Sequence, residues 1–154
     1  MTRLNAKGIP LLDVTHNYVE EASIGEVRGW LHRKGANDAC QDYSILPGSR
    51  GDESWLISPV ADVNSLFSIA HGAGRKWARG ECKGRLEKYY TWRELERSTI
   101  GSHVVCKDIR LLYQEAPEAY KPVKHIMNDM EGAGIARRIA RFRPILTYKT
   151  RVKR

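Results

Sequence analysis

Ser68-Ile69-Ala70-His71-Gly72-Ala73-Gly74-Arg75-Lys76 places a lone histidine between a short apolar run and two close glycines, and basic residues follow at once. Glycine lets backbone N–H groups approach a ligand without side-chain hindrance. Successive N–H groups in such a loop can form an anion nest. The His71 imidazole adds a nitrogen that can act as nucleophile, base or metal ligand. A phosphate cradle beside a nucleophile points to nucleotidyl transfer. On spacing alone a plain glycine-rich turn is the commoner reading, so the rest of the chain has to decide.

Toward the N-terminus, Pro47-Gly48-Ser49-Arg50-Gly51-Asp52-Glu53-Ser54 is a polar loop with strong turn chemistry. Short strands are expected on either side of it, at 43–46 and 55–57. Arg33-Lys34-Gly35-Ala36-Asn37-Asp38 reads as another turn, reached from a strand over 26–32. Ile9-Pro10-Leu11-Leu12-Asp13-Val14-Thr15 reads as a buried strand running into His16-Asn17-Tyr18. Three glycine-bearing loops thus follow strands in quick succession.

Toward the C-terminus, residues 75–88 are basic and expected to be helical in part. Thr91-Trp92-Arg93-Glu94 has capping-box spacing and predicts a short helix. Val104-Val105-Cys106 is a brief strand, and 114–121 is a loop containing Pro117 and Tyr120. Val123, Ile126, Met127 and Met130 fall at i, i+3, i+4 and i+7 of an amphipathic helix, ended by Gly132-Ala133-Gly134. The methionines are core filler. Residues 135–149 read as extended, with Pro144 arguing for an edge position. Strands and helices mix without a regular βαβ rhythm, which predicts an α+β fold.

The 154 residues suit a single domain over 1–154, with ordinary globular composition. No apolar run approaches a membrane span, and the start has no signal-peptide core, so no membrane partner and a cytoplasmic location are expected. Cys40, Cys82 and Cys106 are an odd count without CxxC spacing, which fits neither a disulfide framework nor a zinc site. The net charge of +8 equals the eight Lys and Arg of residues 137–154, a segment without acids. Such a segment attracts polyanions such as RNA, or simply forms a solvated tail. Met1 is followed almost at once by apolar residues, as if the chain opened in mid-domain. That points to a truncated frame or a fragment, with a compact native start as the other reading.

His16-Asn17-Tyr18, His32-Arg33-Lys34-Gly35-Ala36, Pro47-Gly48-Ser49-Arg50-Gly51 and His71-Gly72-Ala73-Gly74-Arg75 occur in that order. Together they resemble the C-terminal half of the RtcB family, the GTP- and manganese-dependent tRNA-splicing RNA ligases. The likeness continues through Glu115-Ala116-Pro117-Glu118-Ala119-Tyr120-Lys121 to Arg143-Pro144-Ile145-Leu146-Thr147-Tyr148-Lys149. Gly51-Asp52-Glu53-Ser54-Trp55 and Lys76-Trp77-Ala78-Arg79-Gly80 look closest to the release-factor-H-coupled branch. Each motif is weak alone; the ordered set is specific.

The resemblance implies a three-step reaction. A histidine attacks the α-phosphate of GTP and releases pyrophosphate. The GMP passes to an RNA 3′-phosphate, itself derived in some cases from a 2′,3′-cyclic phosphate. A 5′-hydroxyl then attacks the activated end and expels GMP. His71 stands at the position of the guanylated histidine. His16 matches a manganese ligand, and Asn17 beside it lines the nucleotide site. Pro47, Gly48, Ser49 and Arg50, then Ser54, match the loop that contacts GMP. Gly72, Ala73 and Gly74 match the nucleotide-binding backbone after the nucleophile. Tyr120 matches a tyrosine near the base, and Lys149 a near-terminal lysine on the guanine nucleotide. His32 and Lys34 lie in a motif that reads equally as a structural turn or an RNA contact.

The departures matter as much. The family's manganese site also takes an aspartate, a cysteine and two further histidines from an N-terminal half that this chain does not contain, and the acid that reads guanine lies there too. Arg50 stands where many members carry methionine, and Thr15 where others have a second histidine. The expectations are therefore an RNA ligase incomplete in this chain, a subunit complemented by a separate N-terminal half, or a non-catalytic remnant that binds RNA or guanine nucleotide.

Overall fold

Alternation of half-buried and exposed residues makes Tyr18–Ile24 a strand (β1), and a two-residue turn at Gly25-Glu26 returns it as Val27–Arg33 (β2). The two pair antiparallel from Tyr18–Arg33 to Ile24–Val27. These elements belong to a computed structural model that describes residues 8–15 and 17–150. His16 lies outside the described residues, as do Arg151, Lys153 and Arg154 of the basic segment.

A tight turn at Lys34-Gly35 leads into Ala36–Asp38 (β3), which pairs antiparallel with Ser68–Ala70 (β6). The expected turn over 33–38 is therefore shorter, because Ala36, Asn37 and Asp38 find partners in β6. This pairing fixes His71, the next residue after β6, against Gly35, whose carbonyl accepts the His71 N–H at 3.3 Å. Arg33, buried at the end of β2, donates to the Ser68 hydroxyl at 3.1 Å and ties the first ribbon to the same place.

Ser44–Leu46 (β4), Ser54–Pro59 (β5) and Ala136–Phe142 (β8) form an antiparallel sheet in the order β4-β5-β8. Leu46 and Ile57 point from it into a core with Ile69, Val123, Met127 and Met130. The last three come from the helix Val123–Gly132 (α3), so the predicted period and the methionine packing hold. A second core gathers Leu86, Leu95, Val104, Leu112 and Tyr113. Its residues come from the short helices Cys82–Leu86 (α1) and Ile109–Gln114 (α2), the strand His103–Cys106 (β7) and the 3-10 turn Glu94–Glu96. β7 pairs in parallel with Leu146–Lys149 (β9), bringing Cys106 opposite Lys149. Pro144 falls between β8 and β9. The mixture of short helices and small sheets is α+β, as the sequence predicts.

Three further differences stand out. Residues 9–15 form no strand: Ile9 is 93% and Leu11 66% exposed. A strand needs a neighbour for its backbone groups, and no described segment pairs with this one. Helix α2 escapes the sequence reading because six residues are too few to show a period; its signal is the Asp108 cap, which accepts the Leu111 N–H at 3.0 Å. The Thr91–Glu94 capping box does form, with the Thr91 N–H donating to Glu94 at 2.7 Å, but it opens only a single 3-10 turn over Glu94–Glu96. Among the described residues no helix is long and apolar enough to cross a membrane.

Candidate active site

The loop from Pro47 to Glu53 is the keystone. A Cβ at Gly48 would stand 1.9 Å from the Glu53 carbonyl oxygen, and one at Gly51 would stand 2.4 Å from the Pro117 ring. Only glycine permits either approach. The Gly48 N–H donates to the Ser54 hydroxyl at 3.1 Å, so that side chain closes the loop. The Asp52 carboxylate accepts the Val123 N–H at 2.8 Å and caps α3, whose preceding residue, Pro122, has no side-chain acceptor. The Pro47 carbonyl accepts the Ala73 N–H at 3.1 Å. The loop is thereby joined to the His71 turn, to α3 and to the 3-10 turn Pro117–Ala119.

The His71 turn is joined to Tyr120 from the other side. The Gly74 carbonyl accepts the Lys121 N–H at 3.1 Å, and the Lys76 N–H donates to the Ala119 carbonyl at 2.8 Å. Arg75 lies between, its guanidinium 4.6 Å from the Tyr120 ring centre and bonded to the Gln114 carbonyl at 2.6 Å.

These connections, with the β7–β9 register, gather Gly48, Ser49, Arg50, Ser54, Tyr120 and Lys149 around one cavity of about 310 Å³. Six of the residues expected to hold the nucleotide thus line the same space. Glu115, Phe142, Arg143, Pro144 and Thr147 complete it. Pro47, His71, Gly72, Ala73 and Gly74 stand behind the loop rather than in that lining, and the hydrogen bonds above couple them to it. Asn17 is exposed, with a left-handed φ of 57°, one residue beyond the Tyr18–Arg33 pair. The ribbon register sets it at the end that turns through Lys34-Gly35 toward His71. The Gly35 position comes within 3.8 Å of the His71 imidazole, measured from where its Cβ would be. His32 and Lys34 are exposed.

The nest reading of the His71 turn holds only in part. The N–H groups of His71 and Ala73 are taken by the carbonyls of Gly35 and Pro47. Gly72 serves close packing on Pro47, and Gly74 supplies a φ of 68°.

Glu115 is the residue the sequence reading leaves out of the site. Its carboxylate accepts the Tyr120 hydroxyl at 2.5 Å. Arg79, Arg75 and Lys149 stand 3.4, 3.6 and 3.7 Å from it. Burial pushes this carboxyl up, but the Tyr120 hydrogen bond and the three cations outweigh it and hold Glu115 below the ordinary range. Tyr120 is pushed up to about 12, first by burial and then by Glu115. Arg50 is only 7% exposed and donates to the Leu112 carbonyl at 3.1 Å, while its Nε and Nη1 have no hydrogen-bond partner. Burial lowers its pKa, against the support of Glu118. A buried, under-bonded guanidinium at the cavity, with Lys149 and Arg143 beside it, makes the space a match for an anion.

A metal is not matched in the same way. Among the described residues no three His, Cys, Asp or Glu side chains converge to hold one. Those residues do not fit a manganese site.

The family model of the tRNA-splicing ligase RtcB matches residues 2–150. The chain belongs to the RtcB family. It is 50% identical over 149 residues to the RNA-splicing ligase RtcB2 of Escherichia coli, covering 97% of this chain and 39% of that one. It is 33% identical to the tRNA-splicing ligase RtcB of Aeropyrum pernix, covering 86% of this chain and 31% of that one. The chain therefore spans between about a third and two fifths of these relatives.

Proposed function

We propose that this chain is the nucleotide-holding part of an RNA ligase, with GTP as the nucleotide and His71 as the group that takes GMP. The observation that carries the reading is the convergence of Gly48, Ser49, Arg50, Ser54, Tyr120 and Lys149 on one cationic cavity coupled to the His71 turn. Nothing in the sequence order requires residues 48 and 149 to meet.

In this reading a His71 ring nitrogen attacks the α-phosphorus of GTP. A nitrogen–phosphorus bond forms, the bond to the bridging oxygen breaks, and pyrophosphate leaves. Neutral imidazole is a competent nucleophile near neutral pH. Lys149 and Arg143 offset charge on the bound phosphates. The histidine-bound GMP then passes to an RNA 3′-phosphate, and an RNA 5′-hydroxyl displaces it to leave a phosphodiester. The RNA, with transfer RNA as the family's default, is the second partner. Manganese belongs to the family's chemistry, and its ligands come chiefly from outside the part of the relatives that this chain matches. A separate chain that supplies that part is the natural complement.

The test is incubation with GTP labelled in the α-phosphate and manganese. The chain alone is expected to take little or no covalent label. Adding the N-terminal part of a family relative should restore it, and His71→Ala should abolish it. Label that persists in His71→Ala overturns the assignment of the nucleophile. A chain that binds GTP yet stays unlabelled with every complement is the non-catalytic remnant.

A further inference from the structure

The segment 75–93 carries seven Lys and Arg against two Glu, with Trp77, Tyr89, Tyr90 and Trp92 interleaved. The nucleotide cavity uses little of it. Folding brings Trp77, Tyr89 and Tyr90 around a second cavity of about 410 Å³. Tyr89 is 69% exposed, with its ring open to a partner. Arg85 stands over the Trp77 ring at 5.3 Å and Lys88 over the Tyr89 ring at 5.3 Å. Cations held on aromatic faces at the rim of a hollow are the parts of a stacking platform for single-stranded nucleic acid.

Glu118 lines the same cavity, but its Oε2 is buried and its charge faces Arg50 of the first cavity, so it belongs to the wall and is not a contact for the ligand. Glu118 also sits between Glu115 and Tyr120 in the chain, so one short segment forms a wall of both cavities.

We propose that the Trp77–Tyr89–Tyr90 cavity is a binding subsite for an unpaired base of single-stranded RNA, with Tyr89 as stacking face and Arg85 and Lys88 on the phosphates. It holds the strand whose end is presented to the nucleotide cavity next door. The choice of RNA rests on the ligase reading; the stacking site itself does not.

The test is the binding of fluorescein-labelled oligoadenylate and oligouridylate to the full 154-residue chain, with GTP binding measured on the same samples. Oligoadenylate is expected to bind more tightly than oligouridylate, and binding should fall as salt rises. Tyr89→Ala should weaken oligoadenylate about tenfold, while Tyr89→Phe retains it. GTP binding should be unchanged in the Tyr89 variants, which separates failure here from failure of the ligase reading. Equal binding by wild type and Tyr89→Ala overturns the proposal. So does competition by oligoglutamate as strong as that by RNA, since the patch would then be only a cationic surface. Tyr89 is exposed, so its variants are expected to fold; Lys88→Glu, which should also weaken RNA, gives an independent reading.

Discussion

Glu115 and Tyr120 make one interaction that can be read from both ends. The carboxyl is held below its ordinary 4.5 in the fold. Its contribution to stability is therefore present above pH 4.5 and lost as pH falls through the folded-state value. The hydroxyl is pushed from 10.0 up to about 12, so its contribution is present below pH 10.0 and lost between there and about 12. Urea unfolding of wild type against pH should show both losses. Tyr120→Phe should remove the alkaline loss and weaken the acid one; an unchanged alkaline limb would contradict this. Gly48 is the other single residue on which the site turns. With only 1.9 Å to the Glu53 carbonyl, Gly48→Ala must move backbone. The expected result is loss of nucleotide binding and a drop in thermal midpoint, read by calorimetry.

At the scale of elements, the site hangs on contacts that join a loop to something distant in sequence. Asp52 caps α3 from 71 positions away. Asp52→Ala should cost about 1 kcal/mol, the usual worth of a helix cap, and should also loosen the loop that holds Ser49 and Arg50. Denaturation and GTP affinity would fall together; a loss of stability without a loss of affinity would show that cap and cavity are independent. This also marks where sequence reading stops. The α3 period, the Pro47–Ser54 loop and the strands near 27–33, 44–46, 54–59 and 103–106 are local signals and legible, whereas Tyr18–Ile24, Ala36–Asp38 and Ser68–Ala70 are strands only by virtue of their partners. The nucleotide-cavity residues were legible only as a set of motifs with a family likeness. Glu115 lies within such a motif but carries no local mark of its role, which emerges only when Arg75, Arg79, Tyr120 and Lys149 converge on it. The strand expected at 9–15 failed for the converse reason: an apolar run records a tendency to be covered, not what covers it.

At the scale of the whole molecule, charge and length set the account. The net +8 is concentrated in residues 137–154, and the described part of that segment carries β8, Arg143 and Lys149 to the nucleotide cavity. Exposed apolar residues at Ile9, Trp30 and Leu146 go with a chain that spans 39% of its Escherichia coli relative. The cavity from Gly48 to Lys149 is proposed to hold GTP by itself, although the acid that reads guanine in the family lies outside this span. Equilibrium binding of GTP to the chain alone, without a complement, tests it most directly. Saturable one-to-one binding is expected, weakened about tenfold or more by Lys149→Ala, as loss of a charged contact should, and left within about twofold by His71→Ala, since that substitution removes no charged contact. No saturable binding, or binding that Lys149→Ala leaves untouched, would contradict it.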